Sequence, residues 1–422
     1  MIPGLANVFR IPDLRRKFLF TVGMLAVFRM GSHIPVPGVN VAQLQNLFNQ
    51  PGNALGFIDL FVGGALSRFA VFALGVFPYI TSSIIFSLLE VVFPRLKEIH
   101  RDEGEAGRRK IGQWTLYLAV LLAVIQGSSQ VLLIRNLNAI INPSPIVFTE
   151  ILATLVAGTM VLTWMGEIMT EYGIGNGVSL IIFAGICSRL PQQLQQTVGL
   201  VNVGESTWLN AVSDIFVILV SIVLVVLVTQ AARKIPIQYA KRIVGRRMVG
   251  GQTTYLPMRI AASGVIPIIF AVSMIQLPTT VAQFSKNPLV QEIGAYFSLN
   301  STTGALMYFV LIIFFTYFYS AVTFDPEDVS DNIKKYGGFI PGIRPGKPTT
   351  DYLTRILERL TLVGAIFLGL IAVVPIFISR FTGQLTLYLT GTSLLIVVGV
   401  ALDTMKQIEA YVLMRHYEGF MK

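Results

Sequence analysis

The side chains able to do chemistry in this chain of 422 residues are few and scattered. Its three histidines, His33, His100 and His416, fall among loops and chain ends, so each reads as a solvated residue rather than a ligand. The one cysteine, Cys187, lies inside an apolar run, where it allows no intrachain disulfide and points to no metal. Neither HExxH nor GxxxxGK[ST] occurs, so there is no zinc-hydrolase helix and no nucleotide-binding loop. EYGIGNG at 171–177 has the glycines of a phosphate loop. It precedes an apolar run instead of following a strand, and so reads as a tight turn opening a helix. Glu90 and Glu167 sit near the ends of apolar runs and Asp403 closes the last one, which leaves a proton- or sodium-coupled carrier little to work with. No catalytic residue, metal ligand or cofactor is assigned, and the chain is not expected to be an enzyme.

The elements that must hold these residues follow from composition. Hydrophobic residues make up 54% and charged residues 13%, with a mean hydropathy of +0.69, which defines a multi-span membrane protein. A helix crosses the hydrocarbon with about 20 residues. On that measure ten spans are expected, near 18–35, 74–93, 114–133, 149–169, 177–190, 211–231, 260–284, 306–323, 360–378 and 385–402. With the N terminus cytoplasmic, the inner segments collect most of the basic residues, and the outer ones hold only Arg68, Arg135, Arg189, Lys286 and Arg380. That asymmetry sets the orientation and puts both termini in the cytoplasm. The opening MIPGLANVFRIPDLRRK has charges ahead of a full-length span and no small-residue cleavage site, so it does not read as a cleavable signal peptide. Five spans fall on each side of an expected outer loop at 191–210. This divides the chain into halves 1–190 and 211–422 of opposite orientation, as an inverted repeat requires, although no residue-level match links them.

One stretch breaks the pattern. FIDLFVGGALSRFAVFALGVFPYITSSIIFSLLEVVF at 57–93 is nearly twice one crossing in length, carries Asp59 and Arg68, and is punctuated by Gly63, Gly64, Gly75 and Pro78. It reads either as a short non-crossing helix, a hinge at Gly75 and Pro78 and then a span, or as one long tilted helix with an amphipathic extension. Irregular backbone at membrane depth survives only inside protein or against a water-filled cavity. Arg29 is the strong charge inside a span, and snorkelling or a bundle-facing partner accounts for it. Two inner loops are large and basic. Loop 232–259 alternates like a strand over IPIQYA and turns at GRRMVGG, so a hairpin is expected. Loop 324–353 opens with an acidic helix and closes on FIPGIRPGKPT. Both are either ordinary orientation-setting loops or docking tips for a large partner.

Seven strings together resemble the SecY family, the channel-forming subunits of the bacterial protein-translocation machinery. They are FRMGSHIPVPGVN (28–40), FPYITSSII (77–85), EYGIGNGVSLIIFAGI (171–186), YAKRIVGRRM (239–248), LPMRIAASGVIPIIFA (256–271), GGFIPGIRPGKPT (337–349) and TSLLIVVGVALD (392–403). They run from the first span to the last, in order. The resemblance implies an all-α integral membrane fold of ten transmembrane helices, in two inverted five-helix halves around an hourglass pore. It implies translocation of unfolded secretory chains and sideways insertion of membrane segments into the cytoplasmic membrane.

By motif match, Ile80, Ile84, Ile182, Ile269 and Ile396 correspond to five members of the family's pore ring. A collar of branched apolar side chains dewets a narrow pore and blocks ions. The residues Asp59, Leu60, Phe61, Val62, Gly63, Gly64, Ala65, Leu66, Ser67, Arg68 and Phe69, within 59–72, correspond to a plug helix that closes the outer funnel. Gly75, Pro78 and Pro267 are implied hinges of a lateral gate between the second and seventh spans, and Pro267 and Pro278 are expected to bend the seventh. Arg246, Arg247, Arg344 and Lys347 are implied docking positions for the SecA motor ATPase or the ribosome. The implied partners are SecE and SecG, SecA, the ribosome, signal peptides, unfolded polypeptides and the lipid bilayer. The competing reading is a secondary transporter of a small solute built on inverted repeats. A membrane-embedded enzyme lacks a catalytic pair.

Overall fold

In a computed structural model, 78% of the described residues are helical. It describes residues 11–48, 59, 61–93, 95–96, 99, 104–137, 139–141, 143–204, 207–239, 242–244, 247–249, 253–260, 264–284, 287–298, 301–382 and 391–419. In chain order the N-terminal part holds α1 (Pro12–Gly31), α2 (Val41–Phe48), α3 (Phe77–Val92), α4 (Gly104–Asn136), α5 (Pro145–Tyr172), α6 (Gly177–Val203) and α7 (Trp208–Gln230). Strands β1 (Ala232–Tyr239), β2 (Arg242–Val244), β3 (Arg247–Val249) and β4 (Thr253–Arg259) follow. Then come α8 (Ile266–Phe284), α9 (Pro288–Tyr296), α10 (Thr302–Thr323), α11 (Pro326–Lys335), β5 (Gly338–Phe339), α12 (Lys347–Thr382) and α13 (Gly391–Gly419). Five helical stretches among the described residues are long and apolar enough to cross a membrane: 104–135, 145–172, 302–335, 347–377 and 391–414. The chain is a multi-pass membrane protein.

Local chemistry explains where the helices start. Ser144 and Ser301 cap α5 and α10 through Val147 N and Gly304 N, at 3.3 and 2.8 Å. Asp325 caps α11, which has Glu327 and Asp328 in its first turn and Lys334 and Lys335 in its last, the order that the helix dipole favours. Pro78 and Pro267 each lie in the first turn of their helix, where the missing N–H has no intrahelical acceptor to lose. The expectation that Pro267 bends its helix is therefore corrected: it opens α8, which begins at Ile266 instead of 260, and Pro278 is the proline inside it.

Three more expectations change. The fold is not purely α: the loop hairpin forms, β1 pairing with β4 from Ala232↔Arg259 to Gln238↔Thr253, with β2 and β3 paired beyond it. Strand β5 adds to the other edge of β1 through Gln238↔Phe339 and Tyr239↔Gly338, so both basic loops share one sheet. The outer loop expected at 191–210 is helical as far as Val203, with Pro191 inside α6. Breaking a helix in or near lipid exposes more backbone than the one bond a proline removes. Finally, the expected short helix over 59–72 is instead a chain of turns from Val62 to Phe69. Gly63 and Gly64 take φ of +71° and +84°, and Phe69 takes +45°, which a regular helix excludes.

The largest core cluster joins that segment to α3, α5, α6, α8, α10, α12 and α13. Small residues make the joints. A Cβ on Gly158 of α5 would run into the Val71 carbonyl oxygen, and one on Gly31 of α1 into the Phe72 ring. Gly23 of α1, by contrast, has nothing within 4 Å of where its Cβ would lie. Gly158→Val is therefore expected to lower thermal stability in detergent by about 1–3 kcal/mol or more through overpacking, while Gly23→Ala holds or gains slightly. Equal melting of the two variants would show that α5 does not need the close approach.

Candidate functional site

The segment from Asp59 to Val76 lies inside the protein, and its polar groups are met from within. Asp59 is fully buried. One carboxylate oxygen accepts from Leu66 N at 2.9 Å and Ser67 N at 3.0 Å. The other forms an ion pair with the Arg189 guanidinium of α6. Arg189 also donates to Ser67 Oγ at 3.2 Å. Arg29 of α1 donates to the Gly63 carbonyl at 2.6 Å, so its charge faces the bundle and has an acceptor there. Val36 N donates to Phe69 O at 2.9 Å and Val71 N to Ile34 O at 3.0 Å, which stitches the segment to the chain leaving α1. Backbone meets backbone at α6: a Cβ on Gly185 would stand 2.6 Å from Phe61 O, and one on Gly63 2.9 Å from Gly185 Cα.

The five isoleucines singled out above are all buried: Ile80 and Ile84 from α3, Ile182 from α6, Ile269 from α8 and Ile396 from α13. They come from four helices and lie in one apolar cluster, which also takes in Phe61, Val62 and Ala65 of the irregular segment. Ile80 and Ile84 share a helix face by their spacing of four. Phe61 meets Phe77 edge to face at 6.0 Å. Next to this cluster lies a cavity of about 510 Å³, whose wall includes Ile80, Ile182 and Ile269. Its lining also includes the polar residues Tyr79, Ser83, Ser87, Glu167, Asn176 and Ser179. A second cavity, of about 440 Å³, shares Asn176, Ser179, Ile266, Ile269 and Tyr319 and adds Arg259, Asp403, Lys406 and Gln407. A hollow with polar residues in its wall thus adjoins the isoleucine cluster, and the irregular segment packs into the same cluster. Ile84 and Ile396 line neither cavity. Helices α3 and α8, one from each side of the chain's midpoint, pack directly together.

The turn that resembled a phosphate loop is a structural joint. Thr21 Oγ1 accepts from Ile174 N at 3.1 Å and Gln407 Oε1 from Gly175 N at 2.9 Å, tying α1 and α13 to the α5–α6 corner. Gly75 (φ +60°) turns the chain just before Phe77 and Pro78 open α3. Of the basic positions, Arg344 is exposed in the loop before α12, its carbonyl accepting from Thr349 Oγ1 at 2.9 Å, and Lys347 is exposed as the first residue of α12. Arg247 falls in β3, while Arg246 and, in the segment, Leu60 lie outside the described residues. Sequence reasoning missed Arg189 and Gly185 as partners of the irregular segment. The signal available was a lone basic residue placed on the same outer side as Asp59. Among the described residues no group of three or more His, Cys, Asp or Glu side chains could hold a metal.

A bundle of apolar helices with an irregular segment in its core and a hollow beside an apolar cluster fits the class of membrane channels. Comparison with known proteins agrees. The profile of the SecY family matches residues 70–405. Protein translocase subunit SecY of Halalkalibacterium halodurans is 48% identical over the whole of both chains. A solved structure described as a protein conducting channel superposes with a TM-score of 0.63 at 20% identity, covering 94% of this chain and 92% of that one. Sec61 in the canine ribosome-channel complex from the endoplasmic reticulum superposes at 0.58 and 18% identity, covering 94% and 92%. The chain belongs to the SecY family.

Gly63→Ala is expected to loosen the irregular segment, because alanine is strained at φ +71° and meets Gly185. Cysteine at the buried Ala65, with Cys187 changed to serine, reports this as faster labelling by a thiol reagent. Gly199→Ala, where nothing lies within 4 Å, is expected to leave the rate unchanged.

Proposed function

We propose that this chain is the central, channel-forming subunit of a protein translocase. It passes unfolded secretory polypeptides across the bacterial cytoplasmic membrane and releases apolar segments sideways into lipid. The observation that carries the reading is the full-length relation to a protein translocase subunit SecY. The burial of Ile80, Ile84, Ile182, Ile269 and Ile396 in one cluster adds the mechanism. A small-solute carrier would need charges at the bilayer midplane; among the buried residues described, Asp59 is the charged one, and its partner is Arg189.

On this reading ten helices, α1, α3 to α8, α10, α12 and α13, cross the membrane as two inverted halves, 1–190 and 211–422, with both termini cytoplasmic. The isoleucines form the neck of an hourglass. The adjoining hollow is the inner funnel, and 59–72 is the plug on the outer side. The neck offers no hydrogen bond, so it excludes ions without gripping any particular peptide sequence. A signal peptide opens the seam between α3 and α8, with Gly75 and the helix starts at Pro78 and Pro267 as its pivots. Arg246 and Arg247 in loop 232–259, with Arg344 ahead of α12 and Lys347 at its start, dock the ribosome or the SecA motor. The shared sheet β4-β1-β5 supports this by holding both loops in one frame. SecE clamps the halves and SecG joins them; the chain itself supplies no energy and uses no cofactor.

Asparagine in place of Ile84 or Ile269 is expected to raise ion conductance of the idle channel in planar bilayers, because a polar neck stays wet. Cysteines at the same two positions are expected to crosslink to a stalled secretory precursor. Parental conductance together with the absence of adducts would overturn the channel reading. Arg344→Glu is expected to abolish motor-driven export while the subunit still inserts into the membrane, as read by precursor protection in inverted vesicles. Undiminished export would remove Arg344 from the docking surface.

A further inference from the structure

We propose that Asp59 and Arg189 form a charge clasp that sets the threshold at which the plug leaves the neck, an inference that rests on the plug reading above. Two functions converge on one carboxylate. Through Leu66 N and Ser67 N it folds the segment's own turn, and through Arg189 it fastens that turn to α6. Asp59 is wholly buried, and the Arg189 side chain is 17% exposed. An ion pair kept from water is held strongly, but it loses most of its attraction once water enters between the charges. A clasp of this kind is all-or-none: small displacements are resisted, and a displacement large enough to hydrate Asp59 releases the segment.

The surrounding charges sharpen the effect. Arg29 grips the Gly63 carbonyl at 2.6 Å and lies within Coulombic reach of both Arg189 and Arg68. Arg68 belongs to the segment itself, and its Nη1 is buried with no hydrogen-bond partner. Two further guanidinium groups, Arg29 and Arg68, therefore stand close to the pair. If the Asp59 charge is removed, the remaining cations repel one another across the joint between segment and helix, so the same cluster that holds the plug would then eject it. The incoming chain that opens the channel has to overcome this one pair, which makes Asp59 and Arg189 determinants of how strong an opening segment must be.

Asp59→Asn separates the clasp from the turn, because the amide oxygen still accepts from Leu66 N and Ser67 N while the charge is lost. In planar bilayers Asp59→Asn and Arg189→Gln are each expected to raise the idle leak at least about tenfold, since each strands a buried charge or weakens its hold. The double variant, in which neither member of the pair is left stranded and one of the repelling cations is gone, is expected to leak less than Asp59→Asn alone, and Arg189→Lys to stay near the parent. Labelling of a cysteine at Ala65, with Cys187 replaced by serine, is expected to follow the same order. Parental leak and labelling in Asp59→Asn, in a preparation where Ile84→Asn leaks, would overturn the clasp and leave the channel standing. Effects that simply multiply in the double variant would also overturn it. If Ile84→Asn does not leak either, the channel reading itself has failed and the clasp falls with it.

Discussion

A membrane protein has no water to spare for irregular backbone, and this constraint governs the centre of the molecule. From Val62 to Val76 the chain forms turns and one isolated bridge rather than a helix or a strand, yet it lies in the core. Its polar groups are accounted for almost one by one. Gly64, Phe69, Ala70, Ala73 and Gly75 donate to carbonyls within the segment. Leu66 and Ser67 donate to the Asp59 carboxylate, and Val71 donates to Ile34. Phe69 and Gly63 have their carbonyls taken by Val36 and Arg29. A segment satisfied in this way can sit in an apolar core without being regular. It can also leave that core intact, since few of its bonds are part of a neighbouring helix's own ladder.

Much of the helical frame was legible because spans announce themselves by length and polarity. The hairpin announced itself by alternation around a glycine-rich turn, and Asp325 with its acidic neighbours marked a helix start. What could not be read were pairings across sequence distance. Nothing in residues 232–239 says that Gly338 and Phe339 will extend their sheet. Nothing at Arg189 says that its partner lies 130 residues earlier at Asp59. Two misreadings have a common cause, the treatment of local punctuation as decisive. Pro191 reads as a stop, but the helix continues to Val203 because ending it would free more backbone groups than the proline does. The mixture of glycines and apolar residues at 61–69 reads as a short helix, but Gly63 and Gly64 adopt left-handed φ and wrap the chain around the Asp59 carboxylate.

The isoleucines show the opposite limit. Periodicity alone assigns each of them to ordinary packing or to lipid, and the buried cluster is consistent with packing in any helical bundle. What sets them apart is where the cluster lies: a hollow with polar residues in its wall on one flank, an irregular segment packed into it, and contributions from α3, α6, α8 and α13. A core meant only for stability has no reason to adjoin a cavity of about 510 Å³ lined by Glu167, Asn176 and serines. Such a hollow forfeits packing that the protein could otherwise have had.

On the proposed reading, neck and segment divide the task of closure by the kind of force each uses. As a pore ring, the proposed role of the isoleucines, the collar works through dewetting, which is indifferent to sequence and reforms whenever the passage empties. That same indifference means the collar cannot decide when to open, since any apolar segment is as welcome as any other. Discrimination therefore has to come from an interaction with direction and a definite breaking point. The contacts of Asp59, Arg189, Arg29 and Gly63 have that character. Placing charge at the joint and hydrocarbon at the neck lets the seal be general while the threshold stays specific.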